Sequence, residues 1–309
     1  MSAQKYYRRP KTHPVLGTII LLLMASVVFL IWKILPLGLS LPNSSSERIN
    51  IAIAGKQVAL VSVNRANDSV VVVKVPDDLY LSDLVHGYGQ YKASSVYSAG
   101  EFDHRGGETL SGTLQEYLGV PVDGYYNSND DLKNLKSMFL SPGFLFSKNS
   151  DVSFWQRIVF IKHLFTTRFD KIKSVNLASF AGPLVLADGS AALTLDRAEV
   201  DQVLSGILVE NDVQAENLRV EVVNTTKVVG LAARVARLLS NLGLTVVNID
   251  GTASQISGCK ISVEKSSRKS KTVNRIAKIY NCVVESKEES GRAAVSVFLG
   301  TDYVSWLGK

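Results

Sequence analysis

Residues able to do chemistry are few in this chain and widely spaced. Two pairs of acids stand out, Asp77-Asp78 and Asp130-Asp131. Adjacent aspartates could supply hard oxygen ligands to a divalent cation, but they also form tight turns by bonding their own backbone. The four histidines, His13, His86, His104 and His163, are far apart, and no Cys-x-x-Cys spacing occurs. No metal or other cofactor is therefore expected from spacing. A Gly-x-Ser-x-Gly elbow is absent, and Gly55-Lys56 runs into Gln57 where a phosphate-cradling loop needs Ser or Thr. His86-Gly-Tyr-Gly89 stops short of a dinucleotide fingerprint.

What must position these residues begins with the segment Pro14 to Trp32, which carries no charge. As a helix it spans about 30 Å, the thickness of a bilayer's hydrocarbon core. Its Leu, Ile, Val and Phe side chains favour insertion by about 4 to 7 kcal/mol. Lys5, Arg8, Arg9 and Lys11 precede it with no acid among them. That asymmetry predicts a cytoplasmic basic tail (1–13), a single transmembrane helix (14–35), a polar linker (36–49) and an extracytoplasmic remainder. A cleaved signal peptide is the alternative, with a shorter apolar region and a small-residue cleavage site.

The chain is 46% hydrophobic and 20% charged, which are globular values, and the residues after the anchor suffice for two domains. The net charge of +6 owes five units to Lys5, Arg8, Arg9, Lys11 and Lys33, so the exported part is nearly neutral and no nucleic-acid partner is expected. Between Lys260 and Lys278, seven Lys or Arg face a single acid, Glu264. This stretch is either a solvated helix face or a surface for anionic headgroups or wall polymers.

Hydrophobic patterning predicts a hairpin from Val58–Asn64 and Ser69–Val75, ended by Pro76, and a helix from about Thr109 to Leu118 stopped by Gly119. Ser153–Phe169 reads as an amphipathic helix with Phe154, Trp155, Ile158, Ile161, Leu164 and Phe165 inward and Gln156, Arg157, Lys162 and His163 outward. Asp-Gly within Leu184–Leu195 predicts a second hairpin, and Asp196 with Glu199 a capped helix start. A domain boundary is expected near Asn211–Glu216. Beyond it, strand Leu218–Asn224, the helix carrying Val228 to Leu242 and strand Leu244–Asp250 form a βαβ unit. Cys259–Glu264, a helix near Lys271–Tyr280 and Asn281–Glu285 repeat it, and Ala294–Gly300 adds a last strand. Cys259 and Cys282 start the two strands of the second unit. Parallel pairing would bring them level, so a disulfide and a pair of buried thiols are both open.

The C-terminal pattern resembles the LytR C-terminal domain. Asn224-Thr225, Gly230-Leu231-Ala232, Gly243 and the closing Gly300, Asp302 and Tyr303 match its elements over about residues 217–303. The resemblance implies a small α/β module of bacterial envelope proteins, with Asn224 and Gly230 in structural roles. The segment from about 50 to 127 resembles the start of the LytR-CpsA-Psr catalytic domain, whose members transfer glycopolymers from a polyprenyl-pyrophosphate carrier to envelope acceptors. Such a transfer needs cations to meet the leaving group's charge. The family's Pro-Arg-Asp falls on Pro76-Asp77-Asp78, so Asp replaces Arg, and its acidic position falls near Lys56. These losses imply a relative without the reaction.

The fold expected is therefore α/β (mixed α+β). It comprises a single transmembrane helix, a degenerate LytR-CpsA-Psr-like mixed-sheet domain (50–212) and a LytR C-terminal-like domain (217–305) of βαβ units. The function expected is that of a membrane-anchored, non-catalytic envelope protein binding a cell-wall polymer, a lipid-linked intermediate or a partner protein. The alternative is a divergent transferase using magnesium, with Asp78 as ligand and Arg105 or Arg157 as substitute cations. A regulatory role is the third reading, and the near-neutral exported part argues against direct DNA contact.

Overall fold

The computed structural model describes residues 47–309 except 129, 147–149 and 288–291, together with Thr18, Leu22 and Met24–Ser26. Those five N-terminal residues are helical. The rest of the predicted transmembrane segment, the basic tail and the linker up to residue 46 lie outside the described residues. Among the described residues no helix is long and apolar enough to cross a membrane.

The first half of the described chain is built on a five-stranded sheet. Strands β1 (Arg48–Gly55), β2 (Ala59–Asn64) and β3 (Ser69–Lys74) form an antiparallel centre. A ribbon of β4 (Tyr80–Leu84) and β5 (Gly89–Lys92) follows, then β6 (Gly124–Ser128) and β7 (Ile172–Asn176). The sheet order is β6-β1-β2-β3-β7, with β6 parallel to β1 and β7 parallel to β3. A separate hairpin joins β8 (Gly182–Val185) to β9 (Ala191–Thr194). Alternation along the central strands sends Ala52, Ala54, Leu60, Val71 and Val73 into one core with Leu110, Leu114 and Leu118 of the helix Gly106–Leu118. The helix Phe154–Thr166 packs on β2 and β3.

The second half is a sheet ordered β11-β10-β14-β12-β13, from β10 (Arg219–Asn224), β11 (Thr245–Gly251), β12 (Lys260–Glu264), β13 (Val283–Lys287) and β14 (Val295–Leu299). Both predicted βαβ units are present, with β10–β11 and β12–β13 parallel. The helices Leu231–Asn241 and Lys271–Tyr280 share one apolar core with the sheet. The last strand inserts between the units, parallel to β10 and antiparallel to β12, so the sheet is mixed.

Three local expectations are corrected. The chain enters β1 at Arg48, inside the segment read as linker, and this unpredicted strand is buried along seven of its 8 residues. The helix expected from Thr109 starts at Gly106, and its first two residues are glycines packed against Tyr97 and Tyr125, where a Cβ would collide. Asp196 caps its helix by accepting from the Ala198 amide, without the reciprocal bond expected of Glu199; the capping box is at Ser153 and Gln156.

Candidate functional site

Pro76-Asp77-Asp78 forms a turn after β3, closed by the Leu79 amide donating to Pro76 O at 3.1 Å. Its backbone is tied down elsewhere: Ser94 N donates to Asp77 O at 3.1 Å and Leu193 N to Asp78 O at 2.9 Å. Both carboxylates are exposed, and among the described residues neither pairs with an arginine or lysine. Lys56 is exposed in the β1–β2 turn. Asp130 shares two bonds with Ser128, and Asp131 O accepts from Asn134 N, both turn roles. Among the described residues no three His, Cys, Asp or Glu side chains converge on a metal position.

Arg105 does not join this turn. It precedes the helix Gly106–Leu118, and its field falls on His86 and Tyr88. There Tyr88 donates to Asp103 Oδ2 at 2.7 Å, and His86 Nε2 lies 3.3 Å from Glu108 Oε1 without hydrogen-bond alignment. Burial pulls the His86 imidazole below its ordinary value, with Glu108 opposing and Arg105 reinforcing that shift. Burial, with Arg105 only adding to it, therefore favours the neutral imidazole over one prepared to meet an anion.

Arg157, expected on a polar face, is buried. It donates from Nε to Val152 O at 2.7 Å, from Nη1 to Phe144 O at 2.7 Å and Leu145 O at 3.2 Å, and from Nη2 to Ser150 O at 3.0 Å. A guanidinium so engaged organises loops and has little left for a ligand. The consequence for the helix is a rotation. Its buried stripe is Arg157, Val159, Phe160 and Leu164, with Phe160 packed on Phe139 and Phe144 at ring separations of 4.7 and 6.1 Å. Of the six residues expected inward, Leu164 is buried and Ile161 half-buried, but four are outward: Phe154 is 48% exposed, Trp155 45%, Ile158 39% and Phe165 39%. Leu140 and Phe146, on the two short helices Leu135–Leu140 and Pro142–Phe146 packed beside it, are also exposed. These exposed apolar side chains thus sit on three helices that touch one another.

Among the described residues a cluster of buried charge joins the segment before β6 to the helix Lys271–Tyr280, and the sequence patterning gave little sign of it. Arg275 is fully buried, yet its helix face was read as solvated or lipid-facing. Its Nη1 lies 2.8 Å from Asp123 Oδ1 and its Nη2 2.8 Å from Glu210 Oε1. Lys278 reaches the same Asp123 oxygen at 2.9 Å. Burial opposes charge on Asp123, but Arg275 and Lys278 prevail and hold it down at about 2. Glu210 has only the shared Arg275, so burial, with Asp123 repelling, pushes it up to about 7. Lys260 and Lys271 are also paired, with Glu285 and Asp212, so most of this basic stretch is committed within the protein.

A second clasp is centred on Arg237. It grips Asp201 through Nε at 2.8 Å and Nη2 at 2.7 Å, and donates to Glu116 O and Tyr117 O at the C-terminal end of the helix Gly106–Leu118. A cation there meets unsatisfied carbonyls and the negative end of the helix dipole. Glu116 accepts from Tyr303 at 2.6 Å, and burial raises its carboxyl despite Arg234 and Arg237. The hint of these residues in the sequence is a charge, Arg275, set among Val273, Ile276 and Tyr280 on one helix.

The C-terminal motif residues converge as structural parts. Asn224 accepts from Thr226 N at 2.9 Å and donates to Val228 O at 2.8 Å, closing the turn into the helix headed by Gly230 at φ +80°, followed by buried Leu231 and Ala232. Thr225 Oγ1 donates to Leu299 O at 2.7 Å. Gly300 lies against the Ser257 and Gly258 carbonyls, where a Cβ would sit at 2.6 and 2.5 Å. Asp302 accepts from Cys259 N at 3.3 Å, and Tyr303 stacks on Trp306 at 5.5 Å. The register pairs Lys260 with Val283, which sets Cys259 and Cys282 side by side one step earlier, and the two are joined in a disulfide.

Residues 217–303 match the family model LytR_C, described as LytR cell envelope-related transcriptional attenuator. No curated protein matches the chain. Among solved structures, a protein titled transcriptional regulator yvhJ from Bacillus subtilis is 11% identical with a TM-score of 0.39, covering 51% of this chain and 94% of that one. A LytR-CPS2A-psr family protein, YwtF (TagT), with bound octaprenyl pyrophosphate lipid is 14% identical with a TM-score of 0.38, covering 51% and 87%. B. subtilis TagT itself aligns at 14% identity and a TM-score of 0.37, covering 52% and 89%. With its βαβ units, its Asn224 turn and its Gly300-to-Tyr303 closure all in place, the segment 217–303 is a LytR_C domain.

Proposed function

We propose that this chain is a membrane-anchored, extracytoplasmic cell-envelope protein that binds a lipid-linked cell-wall polymer without transferring it. In this reading the Pro14–Trp32 segment crosses the membrane once, with the N-terminus cytoplasmic and residues 50–212 and 217–305 outside as two associated domains. The observation that carries the non-catalytic part is the Asp77-Asp78 turn. Two exposed carboxylates with no paired cation would repel a pyrophosphate rather than stabilise its departure. The observation that supports a lipid-bearing partner is the aromatic and aliphatic surface of Leu140, Phe146, Phe154, Trp155 and Ile158. No role for magnesium follows unless turnover is found.

The test is to incubate the full chain in detergent with a polyprenyl-pyrophosphate-linked glycan and magnesium. Retention of the lipid with no release of glycan is expected. Released glycan would replace this reading with the divergent transferase. Protease added outside intact cells should digest the part after the anchor; a protected C-terminus would overturn the topology.

A further inference from the structure

At the opposite end of the first sheet from the Asp77-Asp78 turn lies a cavity of about 300 Å³ whose lining includes Arg48, Asn67, Ser69, Lys171, Lys173 and Asn211. These residues come from the start of β1, the β2–β3 turn, the start of β7 and the segment after the helix Arg197–Leu204. We propose that this cavity is a binding site for a phosphate group, independent of the lipid-facing surface and of the function proposed above.

The argument starts with Arg48. It is 5% exposed, and among the described residues its guanidinium makes hydrogen bonds only to neutral acceptors, Nε to Val209 O at 3.1 Å and Nη1 to Ser62 Oγ at 3.2 Å. A buried arginine usually faces a carboxylate, since an unpaired cation taken out of water is strongly disfavoured. Here no carboxylate pairs with it among the described residues. Burial draws it below its ordinary value, and the two acids whose fields counter this are engaged elsewhere. Glu47 accepts from Asn64, Asn211 and the Asp212 amide, and Glu210 from Arg275.

The remaining lining adds positive charge. Lys171 and Lys173 rise from consecutive outward positions of one strand and its approach, with Lys173 in register beside Val71. Lys171 Nζ reaches only the Asn67 carbonyl at 2.8 Å, and Lys173 has no hydrogen bond or ion pair among the described residues. The one acid in the lining, Asp170, is paired outward with Arg168 at 3.3 Å. In the lining itself three cations therefore meet one carboxylate, while nearby Asp68, which feels the Lys171 charge, is bonded to His163. Asn67, Ser69 and Asn211 supply neutral polar groups around them, and Gly206 at φ +73° keeps one wall free of a side chain. An arginine fork with lysine point charges suits a phosphate's several acceptor oxygens.

The experiment uses the full chain in a phosphate-free neutral detergent and chloride buffer, titrated calorimetrically with inorganic phosphate and, separately, with a soluble glycerophosphodiester. Saturable binding of at least one probe is expected, weakened tenfold or more by Lys173→Glu, an exposed position whose change leaves the melting temperature in place. Arg48→Met should weaken it at least as much, while Lys162→Glu, an exposed cation on the helix Phe154–Thr166 and not in the cavity lining, should not. Tighter binding of inorganic phosphate assigns the site to a free or terminal phosphate; tighter binding of the diester assigns it to a headgroup or polymer linkage. No saturable binding of either probe, or binding that Lys173→Glu leaves unchanged, overturns the proposal.

Discussion

Glu210 shares Arg275 with Asp123 and, with its Oε2 left without a partner, is the weaker claimant on that guanidinium. Its folded-state value of about 7 stands above the 4.5 of an ordinary glutamate. Between those values the folded chain keeps a proton that the unfolded chain has lost, so stability falls as pH rises through that window. At 1.36 kcal/mol per unit, the full window amounts to about 3 kcal/mol. Asp123 moves the other way. Its contribution is complete above an ordinary aspartate's value and is lost only as pH falls toward about 2, so it does not enter between pH 5 and 8. Glu210→Gln retains an acceptor for Arg275 Nε, now at 3.0 Å, and removes the titrating charge. Urea unfolding of the full chain in mild detergent should show wild type and variant equal near pH 5. By pH 8 the variant should be the more stable by about 2 to 3 kcal/mol. Taking the difference between the two proteins cancels the histidines. If the wild type and the variant show the same pH slope, Glu210 is ionised throughout and the account of the cluster is wrong.

Other perturbations test the remaining parts. Arg275→Met leaves Glu210 without its cation and Asp123 with Lys278 alone, and should cost about 3 to 5 kcal/mol at neutral pH, read from the urea midpoint. Cys259→Ser opens the loop closed across a separation of 23 residues and should cost about 3 kcal/mol, with reductant destabilising the wild type but not the variant. Arg237→Ala removes the grip on Asp201 and two helix-end carbonyls, and a loss of about 2 to 3 kcal/mol is expected in the same assay. Trp155→Asp, on the exposed apolar face, should change stability by less than about 0.5 kcal/mol while lowering retention of a lipid-linked glycan. A large stability loss there would show that the face is covered.

Local rules sufficed wherever a structural demand is met by neighbours in the chain. Gly119 ends its helix at φ +64°, Asp196 supplies a cap, and the two βαβ units follow from strand and helix periods. The spaced residues Asn224, Gly230, Gly300, Asp302 and Tyr303 made the LytR_C domain recognisable because each closes a turn or a backbone contact no other residue fits as well. Other features needed contacts between residues far apart in sequence. The Phe154–Thr166 helix carries eight apolar residues among its 13, so the inward face read from its pattern was only one of two apolar faces available. The four carbonyls that Arg157 satisfies turned Phe154, Trp155 and Ile158 outward. The sequence left the cysteine pair open, and the β12–β13 register joined it. Asp123, Glu210 and Arg275 look like ordinary surface charges one by one. They become a buried cluster only because two sheets bring 123, 210 and 275 together. Periodicity reports which face of an element is apolar, whereas long-range packing determines which charges must find one another out of water.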